Sequence, residues 1–375
     1  MSNVRMSLIA VIFSLSMHLT AVAEEALVFV SSMAPGDKGA VQAFHLNLQT
    51  GALTAAERTG GVSNPFFLAL SPDRKTLYSN DSAQFGGKVD EYVAAFHIER
   101  STGSLKPLGR QSSRGTVSCY VDATASALVV ANYGSGSVAS LPVHEDGSLG
   151  EPVSFFKHVG SSVDKKRQSE SHAHSIVVSP DGRFALSADL GLDQVLVYRL
   201  DGKTAALSPN DPPHAKAPAG AGPRHLTFHS DGRHVYVINE MANSITTFDY
   251  DAERGSLSEK TTISTLPADF TGKSYCADVK TTTDGKFLFG TNRGHDSIAA
   301  YRLGEDGLPT LVGIYPSLGK GPQNLAIAPG GEFLLCANMP GSNIVVFRID
   351  RKTGALQAVG EPTPLPQPSC IMIVP

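Results

Sequence analysis

The chain has 375 residues, 41% of them hydrophobic and 18% charged, which is enough apolar content for a large globular core. Its net charge of -4 provides no basic footprint and argues against a nucleic-acid partner. The one compact basic run, Lys165-Lys166-Arg167, lies in a polar connection and reads as a solvated loop.

Read from the N-terminus, Arg5 supplies a positive start and Leu8 to Leu19 an apolar run of signal-peptide length. Ala21-Val22-Ala23 then has the small-x-small form of a cleavage site. Residues 1–23 are therefore expected to be a signal peptide and residues 24–375 a single exported domain, periplasmic or secreted. The apolar run is short for a bilayer and no later stretch approaches the required length, so no membrane span is expected. Cys119, Cys276, Cys336 and Cys370 show neither C-x-x-C nor zinc spacing. Although export permits disulfides, buried free thiols are expected. Cys336 with Cys370 is the pair to test first, because their repeats should be neighbours.

From residue 64 onward one unit recurs. Each copy reads as a polar or proline start, a short apolar run, an S-P-D-G-like turn, a second run, a polar loop and a third run. A D-G-x-L or T-G-x-L turn closes it. The first full copy starts at Asn64-Pro65-Phe66 and turns at Ser71-Pro72-Asp73; the next starts at Ser118-Cys119 and has an irregular turn, Asp122 to Ser126. Further copies start at His172-Ala173-His174, Gly222-Pro223-Arg224, Tyr275-Cys276 and Gly321-Pro322-Gln323. A proline-bearing connection is expected from Ser208 to Gly222. Cys370 to Pro375 is a first strand with nothing after it, and residues 27 to 53 supply the strands of a repeat that lacks its first. Joined, the two ends make one composite blade and a total of about seven repeats. Four strands at this period predict an all-β fold, a seven-bladed β-propeller closed by a composite blade from both termini. The absence of tryptophan excludes the Trp-Asp signature of WD40 blades.

Alternating strand direction sends the strand starts and the loops after the second strands to one end of the channel. The S-P-D-G turns go to the other end, so Asp181, Asp231 and Asp284 are read as turn residues. Three consecutive blades aim charges and imidazoles at the first end: His172, His174 and Asp189, then Arg224, His225 and Glu240, then Arg293, His295 and Asp296. The equivalent positions elsewhere are blander, among them Phe66, Cys119, Gln323, Ser369, Tyr133 and Met339. A ligand site at that mouth is expected. Arg224 with Glu240 is also readable as a plain ion pair, His225 as a flanking residue, and Asp189 and Asp296 as loop caps. Alternation sends His172 and His174 to the same face.

The motifs H-A-H-S-I-V-V-S-P-D-G-R-F from His172, A-D-L-G-L-D-Q-V from Ala188 and G-P-R-H-L from Gly222 resemble a known family. N-E-M-A-N-S-I from Asn239, N-R-G-H-D-S-I from Asn292 and F-R-I-D-R-K-T-G-A-L from Phe347 extend the likeness over nearly all of the mature chain. The family is the seven-bladed lactonase propellers of the 6-phosphogluconolactonase and carboxy-muconate cyclase type. The resemblance implies hydrolysis of a sugar lactone by water attack, with His174, Arg224, Glu240 and Arg293 as catalytic residues. His172, His225, Asp189 and His295 would contact substrate. It implies no cofactor and no metal, and a lactone or acidic sugar as the partner; an oligomeric state does not follow. Glu240 or His174 would take the water's proton, and the arginines would hold a carboxylate, a phosphate or the oxyanion. A non-catalytic exported propeller that binds a carbohydrate or protein, and a carboxy-muconate lactonising enzyme, are the alternatives.

Overall fold

Two apolar runs joined by a Gly-bearing turn make a hairpin, and this chain repeats the hairpin around a ring. The computed structural model describes residues 25–374; the expected signal peptide lies outside them. They form seven four-stranded antiparallel sheets. Blade 1 joins Glu25–Ser32, Ala40–Asn47 and Leu53–Gly60 to the C-terminal strand Pro368–Val374. Blades 2 to 7 follow at residues 68–112, 118–157, 173–216, 223–264, 275–316 and 322–364. The propeller predicted from the repeats is thus the observed fold, and its ring closes through the pairing of Val28 with Ile373 and Val30 with Ile371. Closure removes the open edge that a linear array of such sheets would present. Among the described residues no helix is long and apolar enough to cross a membrane.

Within a blade the first strand lies innermost, where it meets the first strands of its neighbours. The first three strands are packed on both faces and are almost wholly buried; His234–Asn239, for example, is buried at every position. The fourth strand is largely exposed, as in Ser256–Ser264. Apolar clusters fill the gaps between blades: Phe289, Ile298, Leu334, Val345 and Phe347 pack blade 6 on blade 7. Each such side chain contributes about 1.5–3 kcal/mol when fully buried. All four cysteines are buried and free, including Cys336 and Cys370.

The connection expected from Ser208 to Gly222 is a strand over most of its length. Leu207–Lys216 is the fourth strand of blade 4, despite Pro209, Pro212 and Pro213. An outermost strand leaves one row of backbone groups unpaired, so prolines are tolerated there as they are not in a central strand.

A buried amide closes the second strand of most blades at Asn80, Asn132, Asn239, Asn292 and Asn338. Most of these side chains bind the backbone at the mouth, as the Asn292 amide does in donating to the Thr265 carbonyl at 2.9 Å, while Asn239 donates to the Ser244 and Thr246 hydroxyls. Blade 4 has Asp189 at this position. The residue after it faces the channel mouth: Tyr133, Glu240, Arg293 and Met339 all line one cavity there.

Candidate active site

The side chains that line the mouth are positioned by a defect repeated from blade to blade. Near the start of the innermost strand the pairing register slips: Ala173 pairs with Asp189 but Ser175 with Ala188, and Pro223 pairs with Asn239 but His225 with Ile238. The skipped residues are His174 and Arg224. The same slip skips Cys119 and Gln323 in blades 3 and 7. A bulge of this kind re-aims one side chain while leaving the rest of the strand in place. All four skipped residues line a cavity of about 350 Å³ at the mouth, together with Glu240, Arg293, Tyr133, Arg167, Phe66 and Phe85.

The bulge also separates His172 from His174, which plain alternation would leave on the same face. His174 lines the cavity. His172 stacks on the Tyr133 ring with centroids 4.5 Å apart, and its Nδ1 lies 3.0 Å from the Tyr133 carbonyl.

Glu240 is the centre of the cluster. Its Oε2 accepts from Arg224 Nε at 3.1 Å and from an Arg293 terminal nitrogen at 2.8 Å, and its Oε1 accepts from Arg167 at 2.6 Å. Burial alone would push its pKa up; the charges of Arg293 and Arg224, with the hydrogen bond from Arg167, outweigh this and hold it well below the usual carboxylate range. His174 Nε2 stands 3.8 Å from Glu240 Oε2. Burial, helped by Arg224, lowers the His174 pKa well below the ordinary imidazole value, so the ring is neutral near pH 7. Arg224 is 1% exposed and also donates to the Ala277 carbonyl at 2.6 Å. Burial and then Arg293 bring its pKa down to about 10, still charged at neutral pH.

Arg167 corrects the sequence reading. The basic run is not simply a solvated loop: its last residue reaches back over the mouth to Glu240 and lies 3.4 Å from the Tyr133 hydroxyl. The segment is shaped for this by a local turn in which Asp164 accepts from the Lys166 and Arg167 amides. Gln168 then pins it to blade 4 by donating to Asp193 at 2.7 Å.

Other expected ligand contacts lie elsewhere. Asp189 takes the place of the structural asparagines: Oδ1 accepts from the amides of His172, Gly191 and Leu192, and Oδ2 meets His158 Nδ1 at 2.7 Å. It is wholly buried and does not face the cavity. His225 sits deeper in the channel, donating from Nδ1 to Asp278 at 2.9 Å and packing edge-on against His174. Burial and then Arg224 push its pKa down to about 3. His295 bonds Ser297 at 2.7 Å and packs on Phe270, away from the cavity, and Asp296 caps its loop by accepting from Gly294 and Gly321. Cys119 lines the cavity with Sγ 3.7 Å from His174 Nδ1, but burial pushes its thiol up to about 12. A thiolate nucleophile is therefore disfavoured.

Two other concavities frame the site. An outer basin of about 540 Å³ shares Arg293, Gln323 and Met339 with the cavity and adds Lys273 and Lys320. A cleft of about 420 Å³ opens at the other end, between turns of blades 2 and 3 at Asp73, Thr76, His144 and Asp146. Its charged lining is made of turn residues that bond their own turns, as Asp73 and Asp146 do.

Residues 27–373 match the family model described as "Lactonase, 7-bladed beta-propeller". A 6-phosphogluconolactonase of Bacillus subtilis is 32% identical over 346 residues, covering 92% of this chain and 97% of that protein. A 6-phosphogluconolactonase of Formosa agariphila is 32% identical over 344 residues, covering 88% of this chain and 94% of that protein. The solved periplasmic gluconolactonase of Pseudomonas aeruginosa superposes with a TM-score of 0.87 at 30% identity, covering 94% of this chain and 99% of that one.

Proposed function

The chain belongs to the seven-bladed β-propeller lactonase family, and from that premise we propose that it hydrolyses an anionic sugar lactone, of the 6-phosphogluconolactone type, to the open-chain acid. The observation that carries this reading is the charge of the pocket. Three guanidinium groups, of Arg167, Arg224 and Arg293, face the single carboxylate of Glu240 beside the neutral ring of His174, which leaves two positive charges unmatched. Lys273 and Lys320 extend the same sign outward past Arg293. A phosphate or carboxylate on the substrate meets this excess, and arginine can bind either in a bidentate way.

The residues divide the work by burial. The Arg167 and Arg293 side chains are 37% and 27% exposed, so both can turn from Glu240 towards a substrate anion or the lactone carbonyl. Arg224 stays with Glu240 as a fixed positive charge facing the developing oxyanion. His174 accepts the proton of the attacking water at Nε2, since its lone pair is free near neutral pH. The imidazolium so formed is stabilised by Glu240 and can then return the proton to the ring oxygen that leaves. Glu240, already bonded by three arginines, is the weaker proton acceptor.

The purified protein is expected to open 6-phosphoglucono-δ-lactone faster than unphosphorylated δ-gluconolactone, read as acid released. Arg167→Ala should raise KM for the phosphorylated lactone by roughly tenfold with a smaller effect on kcat, the loss expected for one hydrogen bond to a charged group. Tight binding of the sugar acid without any ring opening would make this a binding propeller instead. Equal kcat/KM for the two lactones would remove the requirement for an anion.

We also infer that the protein acts outside the cytoplasm. The composition of residues 1–23 and the likeness to a periplasmic gluconolactonase support this. Protein recovered from the periplasmic or secreted fraction should begin at or near Glu24; a cytoplasmic chain that retains Met1 would overturn it.

A further inference from the structure

The turns at the end of the propeller opposite the pocket follow one pattern. In blades 2, 4 and 6 a hydroxyl binds the turn aspartate: Ser71 to Asp73 at 2.7 Å, Ser179 to Asp181 at 2.6 Å, and Thr282 to Asp284 at 2.7 Å. The residue that opens the following strand is Thr76, Phe184 or Phe287, each buried. Blade 5 departs at both positions. Its turn reads His229-Ser230-Asp231-Gly232-Arg233-His234, with imidazoles where the other blades carry the hydroxyl and the buried apolar or hydroxyl side chain.

Both rings turn Nδ1 towards the same carboxylate. His229 Nδ1 is 2.9 Å from Asp231 Oδ1, and His234 Nδ1 is 2.9 Å from Asp231 Oδ2. The three donor atoms lie within 4.8 Å of one another. The far nitrogen of His229 settles what its near one offers. His229 Nε2 is 2.9 Å from the Gly285 carbonyl, which can only accept, so Nε2 carries the hydrogen, and Nδ1 presents its lone pair to the Asp231 backbone amide at 3.3 Å beside the carboxylate. His234 instead holds its Nδ1 hydrogen on Asp231 Oδ2 at 2.9 Å, with Nε2 3.5 Å from Asp249; a cation at Nδ1 would displace that proton and leave an Nε2–H turned to Asp249. Two Nδ1 atoms gathered beside one carboxylate, with the far nitrogen of each ring turned to a carbonyl or carboxylate, is an arrangement in which proteins hold histidine for a metal.

We propose that His229, Asp231 and His234 bind a zinc-class divalent cation at this end of the propeller. Ligands at about 2.0–2.1 Å around a tetrahedral metal stand about 3.3 Å apart, so the two 2.9 Å pairs need open only slightly. Two imidazoles and one carboxylate suit zinc, nickel or cobalt better than calcium or magnesium. The rings are already fixed by blade 6: a Cβ at Gly285 would meet His229 Nε2 at 2.5 Å, and one at Gly307 would meet the His234 ring at 2.6 Å. The Arg233 guanidinium, 3.5 Å from Asp231 and largely exposed, can swing into solvent when a cation enters. Such a cation would tie blade 5 to blade 6 through His229 and Gly285, which makes it a structural site remote from the reacting lactone.

The test uses the whole mature chain, stripped with chelator and titrated with Zn²⁺ alone by calorimetry. Co²⁺ serves as a second probe, followed by its visible absorption. One saturable cation per chain and a rise in unfolding midpoint on adding Zn²⁺ are expected. His229→Ser with His234→Phe installs the residues blade 4 carries at these positions. It should weaken Zn²⁺ binding by at least about tenfold and remove the midpoint shift, while the metal-free midpoint shows that the fold is intact. Should that pair fail to fold, Asp231→Asn keeps a turn-forming residue and is expected to show the same loss. A wild-type chain that binds no Zn²⁺, or a folded variant that binds as tightly as wild type, overturns the proposal.

Discussion

Glu240→Gln is expected to lower kcat/KM for the lactone by about 10²–10⁴-fold, the usual range for losing general-base help. His174→Gln should do the same, because the imidazole takes the proton and the carboxylate stabilises the resulting imidazolium at 3.8 Å. Groups that act as one unit are not additive, so the double variant should be little worse than either single one. The wild-type pH profile provides a second check. The folded pKa values of both groups are depressed, so lowering the pH below the ordinary imidazole value should not charge His174, and Glu240 should remain ionised. Activity should be level from about pH 8 down through 6.5, the ordinary imidazole pKa, and fall only well below it. An inflection at 6.5 in kcat/KM, or a double variant whose loss is the product of the singles, would sink the assignment. Stability follows the sign of the same shift. The contribution of Glu240 is complete above the unfolded carboxyl pKa of about 4.3 and fades as pH falls through the lower folded value. Near neutral pH the variant should unfold about 3 kcal/mol more easily, the lower end for a broken buried pair, because Arg167 and Arg293 can turn to solvent while Arg224 cannot.

The propeller was legible because the hairpin repeats, and because each end of the chain supplies the strands the other lacks. Position within the repeat was enough to bring His174, Arg224, Glu240 and Arg293 to one mouth, which is where the structure gathers them. Choosing between His172 and His174 was not possible from alternation, since the choice depends on a bulge that changes the face of every residue before it. Asp189 carried a readable signal that charge obscured. Aligned with Asn80, Asn132, Asn239, Asn292 and Asn338 it falls on the buried structural position, one residue before the one that faces the cavity. Arg167 had no such register. It lies in the connection between blades 3 and 4, outside the repeat, and only the tertiary path of that connection over the mouth delivers it to Glu240. The fourth strand of blade 4 was hidden by prolines that an outer edge accommodates.

Arg224 separates a catalytic cluster from a merely structural ion pair, because the two readings predict different behaviour from Arg224→Lys. Lysine keeps the charge but loses the planar fork. The guanidinium simultaneously serves Glu240 at 3.1 Å, the Ala277 carbonyl at 2.6 Å and His225 Nε2 at 3.0 Å. A single ammonium cannot reach all three from the same backbone position. If the guanidinium only braces blade 5 and ties it to blade 6 through Ala277, the lysine variant should lose stability and keep its kcat. If Arg224 also presents a fixed charge to the oxyanion, kcat should fall by about 10²–10³-fold, the cost of removing one oxyanion donor, with KM changing far less. Arg224→Ala should show the same fall in kcat together with a destabilisation of about 3–5 kcal/mol, since Glu240 and the Ala277 carbonyl lose a buried partner. Added guanidinium or methylguanidinium should restore part of the alanine variant's rate by refilling the space. Arg293→Lys provides the contrast: its side chain is 27% exposed and turned towards the basin with Lys273 and Lys320, so its main effect should fall on KM for the anionic lactone. A lysine variant at 224 with wild-type kcat, folded and merely less stable, would return Arg224 to the role of an ion pair. The oxyanion would then have to be held by Arg293 alone.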